Sequence, residues 1–406
     1  MIVGKVVGSV VSTRKSDKLI GQKFMIVEPV HHMKTDLSRS LRSISSAQES
    51  GNMYWWHKEA QQGLAAVKKQ HRSMPQSSES SMMVQDWSNA MEIKDLQKII
   101  QDSGVVGAGG AGFPTYAKLT DKADTILMNC AECEPLLKLH RQLLEKHAYE
   151  IMKTFHMVME TVGASQAIIG IKKSYVQTIK ALQQHIEEFP GLKIHLLDEV
   201  YPMGDEVVLI YEATGRVCRP GGLPIEQGVI VFNVETIYNV YQAVTSQKPV
   251  TEKYVSVVAE VGHPVTVKVP LGCTLDEVVA QAGDITTKDP VYFVGGPMMG
   301  RIGNGSDPVT KTTNAVLVLP HDHQIVMKKR RTSAIDLKRA ASICCQCNTC
   351  TDLCPRHNLG HPIDPARFMR AASAGDFRDV NPYINSAFCS SCGCMRNVCL
   401  PAESCT

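Results

Sequence analysis

Ten of the fourteen cysteines fall between Cys344 and Cys405, behind a long stretch that holds only Cys130, Cys133, Cys218 and Cys273. A secreted disulfide scaffold spreads its cysteines through one small domain. A tight cluster behind a cysteine-poor region suits metal binding in a reducing compartment. The 406 residues leave room for two or three further cores. Lys and Arg exceed Asp and Glu by only three charges, so no polycation or acidic tail points to nucleic acid. Apolar runs are a handful of residues long, far short of the ~18 that a membrane span needs. The apolar start, Met1 to Val11, is interrupted by Lys5 and lacks a small-residue cleavage site, so it reads as a strand of a cytoplasmic protein rather than a signal peptide.

Within the cluster, Cys344-x2-Cys347-x2-Cys350-x3-Cys354-Pro355 has the spacing that wraps 4Fe-4S cubanes of the bacterial ferredoxin type. Thiolates three residues apart on a tight turn reach adjacent iron corners, and the cysteine before proline comes as a rule from a separate segment. A zinc knuckle is the competing reading, and Cys345 lies out of register. Cys389-x2-Cys392 begins the same register again and then departs from it, since the next cysteines are Cys394 and Cys399. A second cluster on Cys389, Cys392, Cys394 and Cys399 is a strained one.

Upstream, residues 1–30 read as a β-hairpin with a polar turn through Ser16-Asp17-Lys18. Residues 31–90, rich in Ser, Gln, Met and basic side chains without a period of 2 or 3.6, read as disordered or as a linker. At Met91 the pattern changes. Ile93, Leu96, Ile99 and Ile100 mark one helix face that runs into Gly107-Ala108-Gly109-Gly110-Ala111-Gly112-Phe113. Strand patterns at Thr125–Met128 and Gly228–Phe232 alternate with helical ones such as His140 to Gly163, which predicts an α/β domain over 91–245. The strands Val255–Val261 and Val265–Val269, followed by a helical Thr274–Ala282, have the pattern of a small β-grasp module over 252–300. A basic connector leads to the cysteine-rich domain, 335–406.

The glycine run contains G-x-G-x-x-G, but a helix rather than a strand precedes it, so the ordinary dinucleotide fingerprint fails in its context. What remains is that consecutive glycines let backbone N–H groups approach a phosphate closely, with Lys118 near enough to add a charge. A purely structural turn is the alternative.

That loop, followed by Asn129-Cys130-Ala131-Glu132-Cys133-Glu134-Pro135, then Tyr201-Pro202-Met203-Gly204-Asp205-Glu206, then Asn233-Val234-Glu235-Thr236, resembles the FMN- and NADH-binding subunit of respiratory complex I. It resembles more nearly the C component of the Rnf complex, and most nearly the cobalamin reductases of propanediol-utilisation microcompartments. The resemblance covers residues 91–392. It implies an FMN-binding α/β domain, then a soluble-ligand-binding β-grasp, then a helical ferredoxin-like iron–sulfur domain. By motif, Gly107, Gly109, Gly110, Gly112 and Lys118 would hold the FMN phosphate, with Phe113 beside them. Asn129 and Glu132 would face the isoalloxazine and Glu134 the nicotinamide nucleotide, which makes the two glutamates the candidate catalytic residues. Tyr201, Gly204, Glu206, Asn233 and Thr236 would complete the pocket. Complex I has Arg where Ala108 stands and Asp where Ala131 stands. Cys130 and Cys133 form a CxxC that the resemblance puts on the flavin loop, with a redox or metal role the alternative.

Residues 1–30 resemble a different family, the pentameric vertex proteins that close bacterial microcompartment shells, and the likeness ends near Lys34. Codons for Arg42 to Trp56 and for Arg72 to Met83, read in one shifted frame, permit continuations like that family's later strands. Codons for Cys394 to Pro401, read from their second bases, permit Ala-Cys-Glu-Met-Tyr-Ala-Cys-Pro, which would restore the cluster register. The expectation is therefore an interrupted vertex gene joined to a neighbouring reductase that starts at Met91 and is itself shifted near its end, with a natural fusion as the alternative.

The function implied is NADH-dependent flavin and iron–sulfur electron transfer, reducing cobalamin within a bacterial microcompartment. The implied partners are NADH, cobalamin or a corrinoid-handling enzyme, and lumen proteins. Alternatives are an Rnf-type subunit on the surface of a membrane complex, a shell-associated protein, or a frame-shifted product without function.

Overall fold

The computed structural model describes residues 4–11, 23–29, 91–331 and 333–395. The expected linker over 31–90, the turn through Ser16-Asp17-Lys18 and Cys399 lie outside the described residues. The N-terminal strands β1 (Gly4–Val11) and β2 (Lys23–Pro29) pair as a two-stranded sheet of their own.

From Met91 the chain builds a second unit. Helix α1 (Ile93–Asp102) buries Leu96 and Ile100 completely, one turn apart, as its apolar period requires. It ends at Gly104, whose φ of +64° turns the chain toward the glycine-rich loop. There follow β3 (Thr125–Asn129), α2 (Leu139–Lys146), α3 (Ala148–Val162), β4 (Gln166–Lys172), α4 (Val176–Gln183), β5 (Leu192–Leu197), α5 (Glu206–Thr214), β6 (Val229–Asn233) and α6 (Val234–Ser246). The helical stretch from His140 is two helices rather than one, because His147 leaves helical geometry (φ −132°, ψ 37°) and separates α2 from α3.

The four strands are parallel in the order β5-β4-β3-β6. Parallel sheets are covered on both faces, which explains runs such as Thr125-Ile126-Leu127-Met128, buried throughout. On one face Leu127, Ile168 and Val231 meet Leu209 and Ile210 of α5. Ile126, Met128 and Ile169 point to the other face and are fully buried. The chain leaves β3 in one direction for β4 and β5 and returns to add β6 on the opposite side. The order therefore reverses between β3 and β6, where open α/β sheets bind ligands outside the carboxyl ends of their strands.

A second sheet follows, formed by β7 (Glu252–Ala259), β8 (Val265–Pro270), β9 (Pro290–Val294), β10 (Arg301–Gly303) and β11 (Ala315–Pro320), in the order β10-β9-β11-β7-β8. Its helix α7 (Leu275–Val279) starts on a capping box between Thr274 and Glu277. Val255, Val257, Val278, Val316 and Val318 form its core. Strand β11 lies between β7, to which it is parallel, and β9, to which it is antiparallel. The sheet is incomplete without it, so the module runs beyond the 252–300 span read from the sequence.

The remainder is helical: α8 (Gln324–Arg330), α9 (Ser333–Ile343), α10 (Thr349–Asp352), α11 (Pro355–Asn358), α12 (Pro365–Ala374) and α13 (Asn381–Asn385). Among the described residues no helix is long and apolar enough to cross a membrane.

Candidate functional site

The glycine-rich loop closes on itself. Gly107 N–H donates to the Phe113 carbonyl at 2.9 Å, and Val106 bridges to Pro114. Gly112 takes a φ of +66°, and a β-carbon there would stand 3.0 Å from Thr312 Cγ2. The loop is moored to the first turn of α6 by Ala108 N–H, which donates to Thr236 Oγ1 at 3.0 Å. Its backbone thus lies against a helix N-terminus, where an anion is favoured. Phe113 is about half exposed on the loop.

Asn129 and Asn233 end β3 and β6 and are register partners, so they stand side by side at the switch point. Asn129 Nδ2 donates to the Gly204 carbonyl at 2.9 Å while its Oδ1 accepts from Ala131 N–H. Asn233 caps α6, its Oδ1 accepting from Glu235 N–H at 3.0 Å, which turns its Nδ2 toward His140 Nε2 at 3.2 Å. An amide nitrogen only donates, so His140 Nε2 is an acceptor and the ring proton sits on Nδ1, facing Glu132 Oε1 at 3.9 Å. Burial holds the His140 pKa below its usual value, against the pull of Glu132 and Glu235. Beneath lies an ion pair between Lys253 and Glu235, both 1% exposed. Burial lowers the Lys253 pKa and Glu235 resists that shift.

Glu132 accepts from His140 N–H at 3.0 Å and Arg141 N–H at 3.4 Å, so its carboxylate sits at the start of α2. Glu134 accepts from Met298 and Met299 N–H, both at 2.9 Å, and so grips a loop of the second sheet. Lys118 donates to the Val231 carbonyl at 2.9 Å and lies 3.8 Å from Glu206. Gly204 fits where nothing larger would: a β-carbon there would lie 2.5 Å from the Ala131 carbonyl. Its N–H donates to Cys133 Sγ at 2.9 Å. Burial raises the pKa of both Cys130 and Cys133, with the Gly204 N–H opposing the shift at Cys133.

Tyr201 connects the crevice to the cysteines, its hydroxyl donating to the Cys392 carbonyl at 2.5 Å. Around it, Cys354 is buried and lies within electrostatic reach of Cys389 and Cys392, and Cys394 within reach of Cys392 and Cys354. The sequence reading grouped Cys354 with Cys344, Cys347 and Cys350. Its reach toward the later group fits a cysteine before proline that serves the other cluster. Ser391 N–H donates to Cys389 Sγ at 3.3 Å. Gln346 and Asn348 lie between cysteines of the first group and Ser391 and Gly393 flank Cys392, all with positive φ, so both thiol loops are tightly coiled. Among the described residues no group of His, Cys, Asp or Glu already stands at metal-ligand spacing, so these thiols form a neighbourhood rather than a closed cage. Cysteine thiols on such loops are the donor chemistry of an iron–sulfur cluster. Arg356, just past Cys354, pairs with Asp205 at 3.0 Å, and His361 contacts the Cys218 carbonyl at 2.8 Å. These contacts hold the thiol loops beside α5.

The crevice fits FMN on three observations: a glycine loop in which Gly110 and Gly112 take positive φ and a β-carbon on Gly109 would press on Asn314, a helix N-terminus beside it, and a buried acceptor, Asn314 Oδ1, without a partner among the described residues. Asn314, His140 and Arg356 were missed in the sequence. Each acts across a long separation, and no local motif marks it.

Comparison with known proteins matches residues 100–242 to the Nuo51 FMN-binding domain, 343–402 to a 4Fe-4S dicluster domain, and 1–43 to the ethanolamine utilisation protein EutN/carboxysome family. The chain is 40% identical to the cobalamin reductase PduS of Citrobacter freundii over 315 residues, covering 77% of this chain and 69% of that one. It is 39% identical to the PduS of Salmonella typhimurium, with 77% and 69% covered. It is 30% identical to the C component of the Na(+)-translocating ferredoxin:NAD(+) oxidoreductase complex of Acetobacterium woodii, with 66% and 59% covered. Its fold is similar to a chain of an NAD+-reducing NiFe hydrogenase in the H2-reduced state, with a TM-score of 0.53 at 22% identity, covering 76% of this chain and 61% of that one.

Proposed function

The chain belongs to the cobalamin reductase family, and on that premise we propose that it carries electrons from NADH, through FMN in the switch-point crevice and clusters on the thiol loops, to a corrinoid. FMN, when bound, converts a hydride into single electrons that iron–sulfur clusters can accept. The chain's own residues bind and arrange. Gly107, Gly109, Gly110 and Gly112 would cradle the FMN phosphate with the N-terminus of α6, while Asn129, Asn233, Thr236 and Gly204 would fix the loops around the cofactor. Glu132 and Glu134 hold the loop between β3 and α2 in place, and neutral His140 keeps Asn233 oriented.

The observation that carries this reading is the Tyr201–Cys392 hydrogen bond, which joins the flavin crevice to the thiol loops without an intervening domain. A vertex-like start over residues 1–43 supports a place in or near a microcompartment, with lumen enzymes as partners. The 30% identical relative from a Na(+)-translocating oxidoreductase complex supports a second reading, an electron-transfer subunit docked on a membrane complex.

The test is anaerobic reduction of a corrinoid by NADH with the full chain reconstituted with FMN, iron and sulfide, followed by absorbance. Turnover without any membrane fraction is the expected result. A loaded protein whose flavin is bleached by NADH while the corrinoid stays oxidised would overturn the acceptor and favour the second reading.

A further inference from the structure

The two asparagines that the sequence motifs assign to the flavin site are already occupied. Asn129 donates to the Gly204 carbonyl and accepts from Ala131 N–H. Asn233 accepts from Glu235 N–H and reaches His140 with its nitrogen. Both poles of each amide therefore have protein partners, and these residues shape the crevice.

A third asparagine does not share that condition. Asn314 immediately precedes β11 and belongs to the β-grasp sheet, yet its Nδ2 would lie 3.2 Å from a β-carbon on Gly109, beside Asn233 Nδ2 at 3.4 Å. The two amides flank the same glycine. Asn314 Oδ1 is buried and, among the described residues, has no hydrogen-bond partner.

The segment carrying Asn314 is fixed in place. Thr310 N–H donates to Thr313 Oγ1 at 3.0 Å, Thr313 N–H to the Thr310 carbonyl at 3.1 Å, and Ser256 N–H to the Asn314 carbonyl at 3.0 Å. Lys311 Nζ reaches across to the Gly104 carbonyl at 2.5 Å, and Thr312 Cγ2 meets the site of a β-carbon on Gly112. The β-grasp sheet is thus tied to both ends of the glycine loop. Burying an amide oxygen on a rigid loop without a donor is unfavourable, and such an oxygen calls for a partner. The group expected on a glycine cradle beside it supplies that partner: the ribityl chain of FMN carries hydroxyl donors, and its ring carries an imide N–H.

We propose that Asn314 is a flavin-binding residue contributed by the β-grasp module, its Oδ1 accepting a hydrogen bond from a hydroxyl or N–H donor of FMN seated on the glycine loop. The cofactor then bridges two sheets, and the β-grasp forms one wall of the site. This inference rests on the flavin reading above.

The test is titration of the full-length apoprotein with FMN, followed by quenching of flavin fluorescence, for the wild type and for Asn314→Ala and Asn314→Ser. Melting of each apoprotein shows that it is folded. The expected result is a dissociation constant raised roughly tenfold in either variant, as for loss of one well-formed hydrogen bond. Amide exchange on the wild type needs no variant: saturating FMN should slow exchange over residues 310–314. Wild type that binds FMN with unchanged affinity in both folded variants and unchanged exchange at that segment would overturn this inference and leave the flavin reading standing. Wild type that binds no FMN would overturn both.

Discussion

Tyr201 and Cys392 stand 191 positions apart in the chain and share a hydrogen bond of 2.5 Å, phenol to carbonyl. The bond fixes the loop that carries Cys392 against the loop that lines the flavin crevice. Tyr201→Phe removes it and leaves the ring. Stability should fall by about 1 kcal/mol. Stopped-flow reduction by NADH should show an unchanged flavin phase and a slower cluster phase, and equal slowing of both would refute the assignment.

Cys354 stands within electrostatic reach of Cys389, Cys392 and Cys394, which fits a cysteine before proline that serves the other cluster. Cys354→Ser should therefore deplete the cluster of the later group, with the low-temperature spin signal of the Cys344 group retained in the reduced protein. Loss of that signal instead would refute the grouping. Cys345→Ser, outside the register, should leave iron and sulfide content unchanged.

The Lys253–Glu235 pair is buried under the crevice. Glu235→Gln strands a lysine in the interior and should destabilise the protein by roughly 3–5 kcal/mol. The joint replacement Glu235→Leu with Lys253→Met removes both charges and should recover most of the loss. Denaturant unfolding distinguishes the two outcomes, and equal loss in the single and joint variants would count against a paired role.

His140 gives a pH dependence whose sign is fixed. Its folded pKa lies below the ordinary 6.5 because it is buried, with Glu132 and Glu235 raising it and Lys253 lowering it further. Well above pH 6.5 neither folded nor unfolded imidazole is charged, and the group contributes no slope. As pH falls below 6.5 the unfolded chain takes a proton that the folded chain refuses, so stability decreases down to the lowered pKa, by at most about 1.4 kcal/mol per pH unit. His140→Asn should flatten that part of the stability profile below pH 6.5. An unchanged slope would show that other groups cause it.

Cluster chemistry was legible because its register is local: Cys344, Cys347 and Cys350 announce their role within one turn of chain. The glycine loop after α1, and Asn129 and Asn233 at the ends of β3 and β6, likewise stand out as short local motifs. The partners of those residues were hidden. Cys354 and Cys389 come within electrostatic reach across an interval filled by α11, α12 and α13. Asn314 comes from a sheet whose membership was read to end at residue 300, and nothing in Thr310-Lys311-Thr312-Thr313-Asn314 marks a contact with Gly109. The β-grasp boundary was short because β11 is identified by its place between β7 and β9, a property of pairing rather than of pattern.

The grip of Glu134 on Met298 and Met299 has a consequence for how the chain is made. The carboxylate precedes its partners by 164 and 165 positions. At roughly 5–20 residues per second, about 8 to 33 seconds of synthesis separate them. During that interval the loop after β3 has its charge but not the amides that receive it. The parallel sheet can assemble early, yet its ligand-facing edge is finished only when Gly296 arrives, and a β-carbon there would overlap Glu134 Oε2 at 2.2 Å. A side chain at residue 296 would act as a wedge at this last step, leaving a well-formed sheet with an open mouth on the ribosome-distal half of the protein.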